Sequence, residues 1–281
     1  MKKVLLIGIT YKNTKEELKG TITDVRNIYN YLTSIGERKE NIRVLSEENV
    51  DGRPIQLPTK RNIEDSIRWL VDGIKENESV FIHYSGHGSR IRDRSNDERD
   101  GFDEVLVPLD FQTNSVITDD WLYDNMITKI PEKSKLIGFF DCCNSGTMCD
   151  LKYNYLAMNG FTGRNLTKNI QYKSEEWTER YSFAIERRND VKGEILIFSG
   201  ALDEQTAADT FKNNINQGAF TGILMEYLTR TRVNNKFKSI SNIRELLKEI
   251  NCKLQIQGYN QRSQVSLSNK DMFEKPFDLE I

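Results

Sequence analysis

Apolar and polar positions follow two periods along the chain. Residues 3–10, KVLLIGIT, are apolar on both faces of an extended chain, which predicts a central strand. Residues 21–35 place Ile22, Val25, Ile28, Tyr29, Leu32 and Ile35 at helical spacing, and Gly36 ends that helix. A second strand is predicted at 41–46. After a loop with two prolines at 50–58, Thr59 caps a helix whose Ile63, Ile67, Leu70, Val71 and Ile74 face inward. Residues 79–89, SVFIHYSGHGS, run from an apolar strand into a glycine-flanked polar turn. A polar loop is expected at 90–104 and a short strand at 105–109. Thr118 caps a helix that opens with Asp119 and Asp120, where acids suit the helix dipole. Strands alternating with helices predict an α/β fold with a mainly parallel sheet covered on both faces.

Residues 135–146, KLIGFFDCCNSG, repeat the pattern of the 79–89 stretch. A short apolar run meets an acid, two cysteines and a small Asn-Ser-Gly turn. Alternation along the strand puts Asp141 and Cys143 on one face and Cys142 on the other. Either sulfur could be a buried small hydrophobe. His87 shifts the balance. The chain has two histidines, and this one stands between Gly86 and Gly88 at the end of another strand. A thiol and an imidazole at neighbouring strand ends are what a nucleophile and its base require. His83, inside the apolar VFIHY run, reads as structural. Cys149 and Cys252 carry no motif.

Beyond the cysteine strand, 150–192 is long, polar and weakly periodic, the signature of a functional or mobile loop. The sheet resumes at 194–199. Amphipathic helices are predicted at 217–230 and 241–254, and a last strand at 264–268.

Composition narrows the classes. A length of 281 residues suits one large α/β domain, and a net charge of −2 implies no general attraction to nucleic acid or membrane. Four cysteines, two of them adjacent, do not form a disulfide framework. They suit a reducing, cytoplasmic setting, which a thiol nucleophile also needs. The opening MKKVLLIGIT has no cleavage site behind it, and no apolar stretch is long enough to span a membrane.

HYSGHG followed by DCCNSG resembles the two catalytic motifs of metacaspases, the caspase-like cysteine peptidases of plants, fungi, protists and bacteria. The resemblance extends through most of the chain. SGALDEQTAADT at 199–210 and GAFT at 218–221 match later family segments. ITYKNTKEELKGTITD at 9–24 matches the N-terminal one, with Thr21 and Thr23 where Cys and Asn are usual. Asn144 stands where the family usually has His, and the animal caspase signature around the cysteine is absent. The chain looks like a type I catalytic core standing alone, without a Pro/Gln-rich prodomain or the type II insertion.

The resemblance implies a caspase-like three-layer α/β/α sandwich forming a single peptidase domain over 1–281. It would have a p20-like part at about 1–150, a linker loop at 151–192 and a p10-like part at 193–281. It implies Cys143 as nucleophile, His87 as base and later proton donor, and the backbone N–H groups of Gly88 and Cys143 as oxyanion hole. Asp24, Ser85 and Asp141 would line an S1 pocket, and paired carboxylates there select Arg or Lys. Asp103, Asp119, Asp120 and Asp150 would bind Ca²⁺, an all-oxygen set that suits this ion. The implied protein is a monomer that acts on proteins or peptides and cuts itself within 151–192. Two alternatives stay open. One is a weakly catalytic pseudo-peptidase serving as a Ca²⁺-responsive binding or scaffold protein, to which Asn144 points. The other is a caspase-clan peptidase specific for Asp, against which the acidic pocket speaks.

Overall fold

The long apolar runs all become strands of one sheet. In the computed structural model the chain runs β1 (Lys3–Gly8), α1 (Thr21–Ser34), β2 (Ile42–Ser46), α2 (Lys60–Val71), β3 (Ser79–Ser85), β4 (Gly88–Arg92), β5 (Phe102–Leu106), α3 (Phe111–Asn114), β6 (Ile117–Thr118), α4 (Asp119–Asn125) and β7 (Lys135–Asp141). It continues through β8 (Tyr153–Met158), β9 (Glu176–Tyr181), β10 (Glu194–Ser199), β11 (Asp209–Lys212), β12 (Ile215–Gly218), α5 (Ala219–Arg230), β13 (Arg232–Val233), β14 (Lys236–Phe237), α6 (Ile243–Ile256) and β15 (Gln264–Leu267). The structure describes residues 1–93, 101–142, 148–158, 176–181, 191–200, 209–212, 215–230, 232–233, 236–237, 242–259 and 261–276.

Eight strands pair in the order β2-β1-β3-β7-β10-β15-β8-β9. The first five are parallel to their neighbours, and β15, β8 and β9 add an antiparallel flank. Alternation divides the core in two. Val4, Leu6, Phe81, Ile137, Phe139, Leu196 and Phe198 pack with α1, α5 and α6 on one face. Leu5, Ile7, Val80, Ile82, Leu136, Phe140, Ile195 and Ile197 pack with α2 and α4 on the other. Apolar side chains on both faces fix the register, because a one-residue slip would send every side chain to the opposite layer. The result is the expected three-layer α/β/α sandwich with a mainly parallel sheet.

Local signals set the boundaries. Thr59 Oγ1 accepts the Asn62 N–H at the start of α2, and Thr118 Oγ1 accepts the Trp121 N–H at the start of α4. Gly36, with φ +105, follows α1 in the left-handed region.

Three expectations need correction. The stretch 151–192, read as a linker loop, contains β8 and β9, which extend the main sheet beyond β15. The expected polar loop at 90–104 begins and ends as strand, since β4 and β5 pair antiparallel from Gly88–Leu106 to Arg92–Phe102. The expected strand at 105–109 accordingly begins earlier, at Phe102. These strands were hard to see because they are short or polar and satisfy their backbone through distant partners. Among the described residues, no helix is long and apolar enough to cross a membrane.

Gly138, at the centre of β7, shows how tightly the layer beneath the sheet is filled. A Cβ there would lie 2.5 Å from Ile197 Cδ1 and 3.0 Å from Phe140 Cε2. Gly138→Ala should therefore destabilise the protein by about 1–3 kcal/mol in urea unfolding. Stability equal to wild type would show that this layer has slack.

Candidate active site

The carboxyl ends of β1, β3 and β7 meet at one end of the sheet, where open α/β folds place their chemistry. Ser85, the last residue of β3, stands opposite Asp141, the last residue of β7. The Gly86 N–H points to the Asp141 carbonyl at 3.4 Å, and His87 follows.

His87 is held at its backbone and at its ring. Its N–H donates to the Tyr11 hydroxyl at 2.9 Å. Its carbonyl accepts from the Tyr84 hydroxyl at 2.8 Å and from the Val107 N–H at 3.1 Å. The Tyr11 ring lies 4.7 Å from the imidazole, centroid to centroid, tilted by 35°. Tyr11 and Tyr84 are both buried, and burial first of all raises their phenols well above the usual range. Both hydroxyls therefore keep their protons, and Tyr11 donates its own to the Val107 carbonyl at 2.6 Å. His87 Nε2 is 2.7 Å from the Glu16 carbonyl. A carbonyl only accepts, so Nε2 carries the proton, and Nδ1 of the neutral ring is left as the basic nitrogen.

Asp24, Ser85 and Asp141 lie together at this sheet end. Asp24 is fully buried and Asp141 almost so. Ser85 Oγ donates to Asp24 Oδ2 at 2.8 Å. The Gly218 N–H donates to both Asp24 oxygens, at 2.9 and 3.1 Å, and the Thr221 N–H donates to Asp141 Oδ2 at 2.9 Å. These amides belong to the approach and first turn of α5, where the helix dipole favours negative charge. A Cβ on Gly218 would fall 2.2 Å from Asp141 Oδ2 and 2.8 Å from Asp24 Oδ2. Glycine is thus the residue that lets both carboxylates approach α5.

A second acidic group lies on the α4 side of the sheet. Asp119, Asp120 and Asp150 each offer an oxygen within 4.8 Å of the others'. Asp119 Oδ2 accepts the Glu104 N–H and its Oδ1 the Asp120 N–H, both at 2.8 Å. Burial, and then the Glu104 carboxylate, push the Asp119 acid up to about 9. Asp103 is buried in β5 but is not one of the converging three. Glu104, paired with Arg90 at 3.2 Å, is the neighbour that reaches Asp119.

A family model described as "Metacaspase, peptidase C14 domain" matches residues 2–152. The chain belongs to the metacaspase family. Metacaspase-1 of Candida glabrata is 33% identical over 295 residues, covering 95% of this chain and 73% of that protein. Metacaspase-1 of Eremothecium gossypii is 32% identical over 299 residues, covering 95% and 64% respectively. Protein GSU0716 from Geobacter sulfurreducens shares the fold, with a TM-score of 0.61 and 20% identity over 97% of this chain and 96% of that one. Membership makes this metacaspase chain a cysteine endopeptidase with a caspase-like fold, acting on protein substrates.

Of the two sulfurs at the end of β7, Cys142 is buried with Ile7, Tyr84 and Phe140 in the layer under α2 and α4. Asp141 points the opposite way, as alternation requires. Cys143, like residues 144–147, lies outside the described residues. Cys149 is buried, and burial pushes its thiol up, away from the reactive thiolate. Gly88 opens β4, paired with Leu106.

Sequence reading overlooked the groups that orient this metacaspase site: Tyr11, Glu16 and Glu47 around His87, and Gly218 and Thr221 around the acids. Tyr11, Glu16 and the last two lie in segments that match the family, so the motif was visible while the contact was not. Glu47 belongs to no motif.

His83 is structural, as expected. It is fully buried, with Nε2 3.3 Å from Thr221 Oγ1, and desolvation pulls it down to about 3 from 6.5. The unfolded chain therefore binds a proton here between these two values while the folded chain does not. The stability this site confers is complete above pH 6.5 and lost as the pH falls. Between pH 6.5 and 4.5, wild type should lose up to about 1.4 kcal/mol per pH unit more than His83→Gln does. Equal slopes in urea unfolding would mean that His83 is not held neutral.

Proposed function

We propose that this metacaspase domain cleaves peptide bonds after Arg or Lys, with Cys143 as nucleophile and His87 as base. The observation that carries this reading is the shared position of two sets of groups. An imidazole with its Nε2 proton committed to Glu16 sits at the same sheet end as the Asp24, Ser85 and Asp141 cluster. The strand that supplies Asp141 leads within two residues to Cys143. His87 Nδ1 takes the thiol proton as sulfur attacks the scissile carbonyl. It returns that proton to the leaving amine as the C–N bond breaks, and water then hydrolyses the thioester. The N–H groups of Gly88 and Cys143 stabilise the oxyanion. A guanidinium or ammonium at P1 supplies the cation that two buried carboxylates favour.

Three variants and a peptide panel test this. Cys143→Ala and His87→Ala should each abolish cleavage, while Cys142→Ala should keep most of it. Asp141→Ala should nearly stop cleavage of Arg peptides, since losing one partner of a buried charge pair costs roughly 3–5 kcal/mol. Efficient turnover of a P1-Asp peptide by wild type would overturn the specificity, and an inactive but folded Cys142→Ala would overturn the choice of sulfur.

Calcium dependence belongs to the same proposal. Asp119, Asp120 and Asp150 form an all-oxygen donor set in which two of three acids are buried and like charges crowd together. That fits a hard divalent cation, and the family resemblance adds Asp103 as a fourth ligand. Such an ion would join α4 to the segment that follows Cys143. The further reading is of one intracellular, monomeric domain, in which 151–192 separates p20-like and p10-like parts and is cut by the enzyme itself. Lys152 and Lys192 are exposed ahead of β8 and β10, and Arg180 lies in β9. Arg164, Lys168, Lys173, Arg187 and Arg188 fall outside the described residues. EDTA should lower activity, and Ca²⁺ should restore it better than Mg²⁺, which demands a tighter octahedral shell. With Ca²⁺, wild type should fragment within 151–192 while Cys143→Ala stays intact. Full activity in chelator would remove the metal from the account, and fragments from Cys143→Ala would assign the cuts to another protease.

A further inference from the structure

The turn that leaves β1 carries both ring contacts of His87. Tyr11 supplies the tilted ring beside the imidazole and accepts the His87 N–H, and Glu16 supplies the carbonyl on Nε2. This turn adopts a costly conformation. Tyr11 has φ 50 and Asn13 φ 64, and a bulky aromatic residue rarely enters the left-handed region. Strain of this kind persists only where surrounding groups enforce it.

Glu47 holds the amides of this turn. It follows β2, the edge strand whose Ser46 pairs with Gly8 of β1. Its carboxylate accepts three consecutive amides: Oε2 takes Thr10 N–H and Tyr11 N–H, the latter at 3.1 Å, and Oε1 takes Lys12 N–H at 3.2 Å. Successive N–H groups converging on one anion form a nest, which binds negative charge well. Beyond the nest the turn closes on itself. Thr14 N–H and Oγ1 donate to the Tyr11 carbonyl at 3.2 and 2.7 Å, and Leu18 N–H donates to the Thr10 carbonyl at 2.8 Å.

We propose that Glu47 is a positioning residue for His87. Its carboxylate fixes the 10–12 amides, which fixes Tyr11 in its left-handed conformation and holds the Glu16 carbonyl against Nε2. Glu47 touches neither the imidazole nor a P1 side chain lodged at Asp24 and Asp141. Its loss should slow chemistry and leave substrate affinity intact. The inference rests on His87 being the base. Two variants probe it independently. Glu47→Gln keeps the shape but replaces one acceptor oxygen with an amide NH₂ that opposes the nest. Tyr11→Phe keeps the ring but removes the acceptor for the His87 N–H.

The experiment measures kcat and KM per titrated active site with an Arg peptide, together with the rate of Cys143 alkylation by iodoacetamide, which needs no P1 pocket. Both variants should lose about tenfold or more in kcat, with KM within about twofold, and alkylation should slow in parallel, since small displacements of a catalytic group cost this much. Glu47→Asp should recover part of the loss. A purely structural role would lower the melting temperature and the titratable fraction while leaving kcat per site unchanged. That result in Glu47→Gln, or in Tyr11→Phe if Glu47→Gln does not fold, overturns the proposal. His87→Ala in the same series separates the two readings. If it still turns over substrate, the dyad itself is wrong. If it is dead while both positioning variants are normal, only the role of Glu47 falls.

Discussion

Asp24 and Asp141 are carboxylates withdrawn from water, and the first turn of α5 holds them both. The two acids come from α1 and β7, and the amides that receive them come from Gly218 and Thr221, far along the chain. A buried carboxylate without compensation costs several kcal/mol, so this junction ties together three elements with no sequence proximity. It also dictates composition. Gly218 has to lack a side chain because the Asp141 carboxylate fills the space a Cβ would take, and a Cβ added to Gly200 would fall 2.8 Å from Asp141 Oδ1. The acid pair is thus held by backbone amides as much as by its own elements.

The neighbouring imidazole is organised by a separate device. Tyr11, Tyr84 and Val107 grip its backbone, and the Glu16 carbonyl chooses its tautomer. The acid pair rests on α5, whereas His87 rests on the turn after β1. Substitutions on the two supports should separate into effects on substrate selection and effects on chemistry. The acidic cluster of Asp119, Asp120 and Asp150 forms a third unit, attached to α4 and to the segment that carries Asp150.

Elements with strong local signals were legible in the sequence. The two-sided apolar runs of β1, β3, β7 and β10 could only be central strands, and Thr59 and Thr118 announced their helices through hydroxyl caps. The packing of Cys142 followed from strand alternation. Other elements left no local trace. β8 (YNYLAM) is a short run without a period-2 pattern and β9 (EWTERY) is polar, and they are stabilised by pairing with β15 and with each other, information that sits more than a hundred residues away in the case of β8 and β15. The β4–β5 hairpin resembled a charged loop because its side chains face solvent in part. Glu47 is one acid among many, and its importance arises from three amides that approach it across the β1–β2 pair.

The central claim is that one sheet end presents a reactive Cys143 next to a pocket shaped for a cation. Covalent trapping tests it most directly. The protein would be treated with a peptide chloromethyl ketone bearing Arg at P1 and, separately, with its Asp counterpart, and the modified sulfur located by peptide mapping. The account predicts rapid, single-site modification of Cys143 by the Arg reagent and slow reaction with the Asp reagent, with the difference removed in Asp141→Ala. Modification of Cys142, or equal rates for the two reagents in wild type, would contradict it.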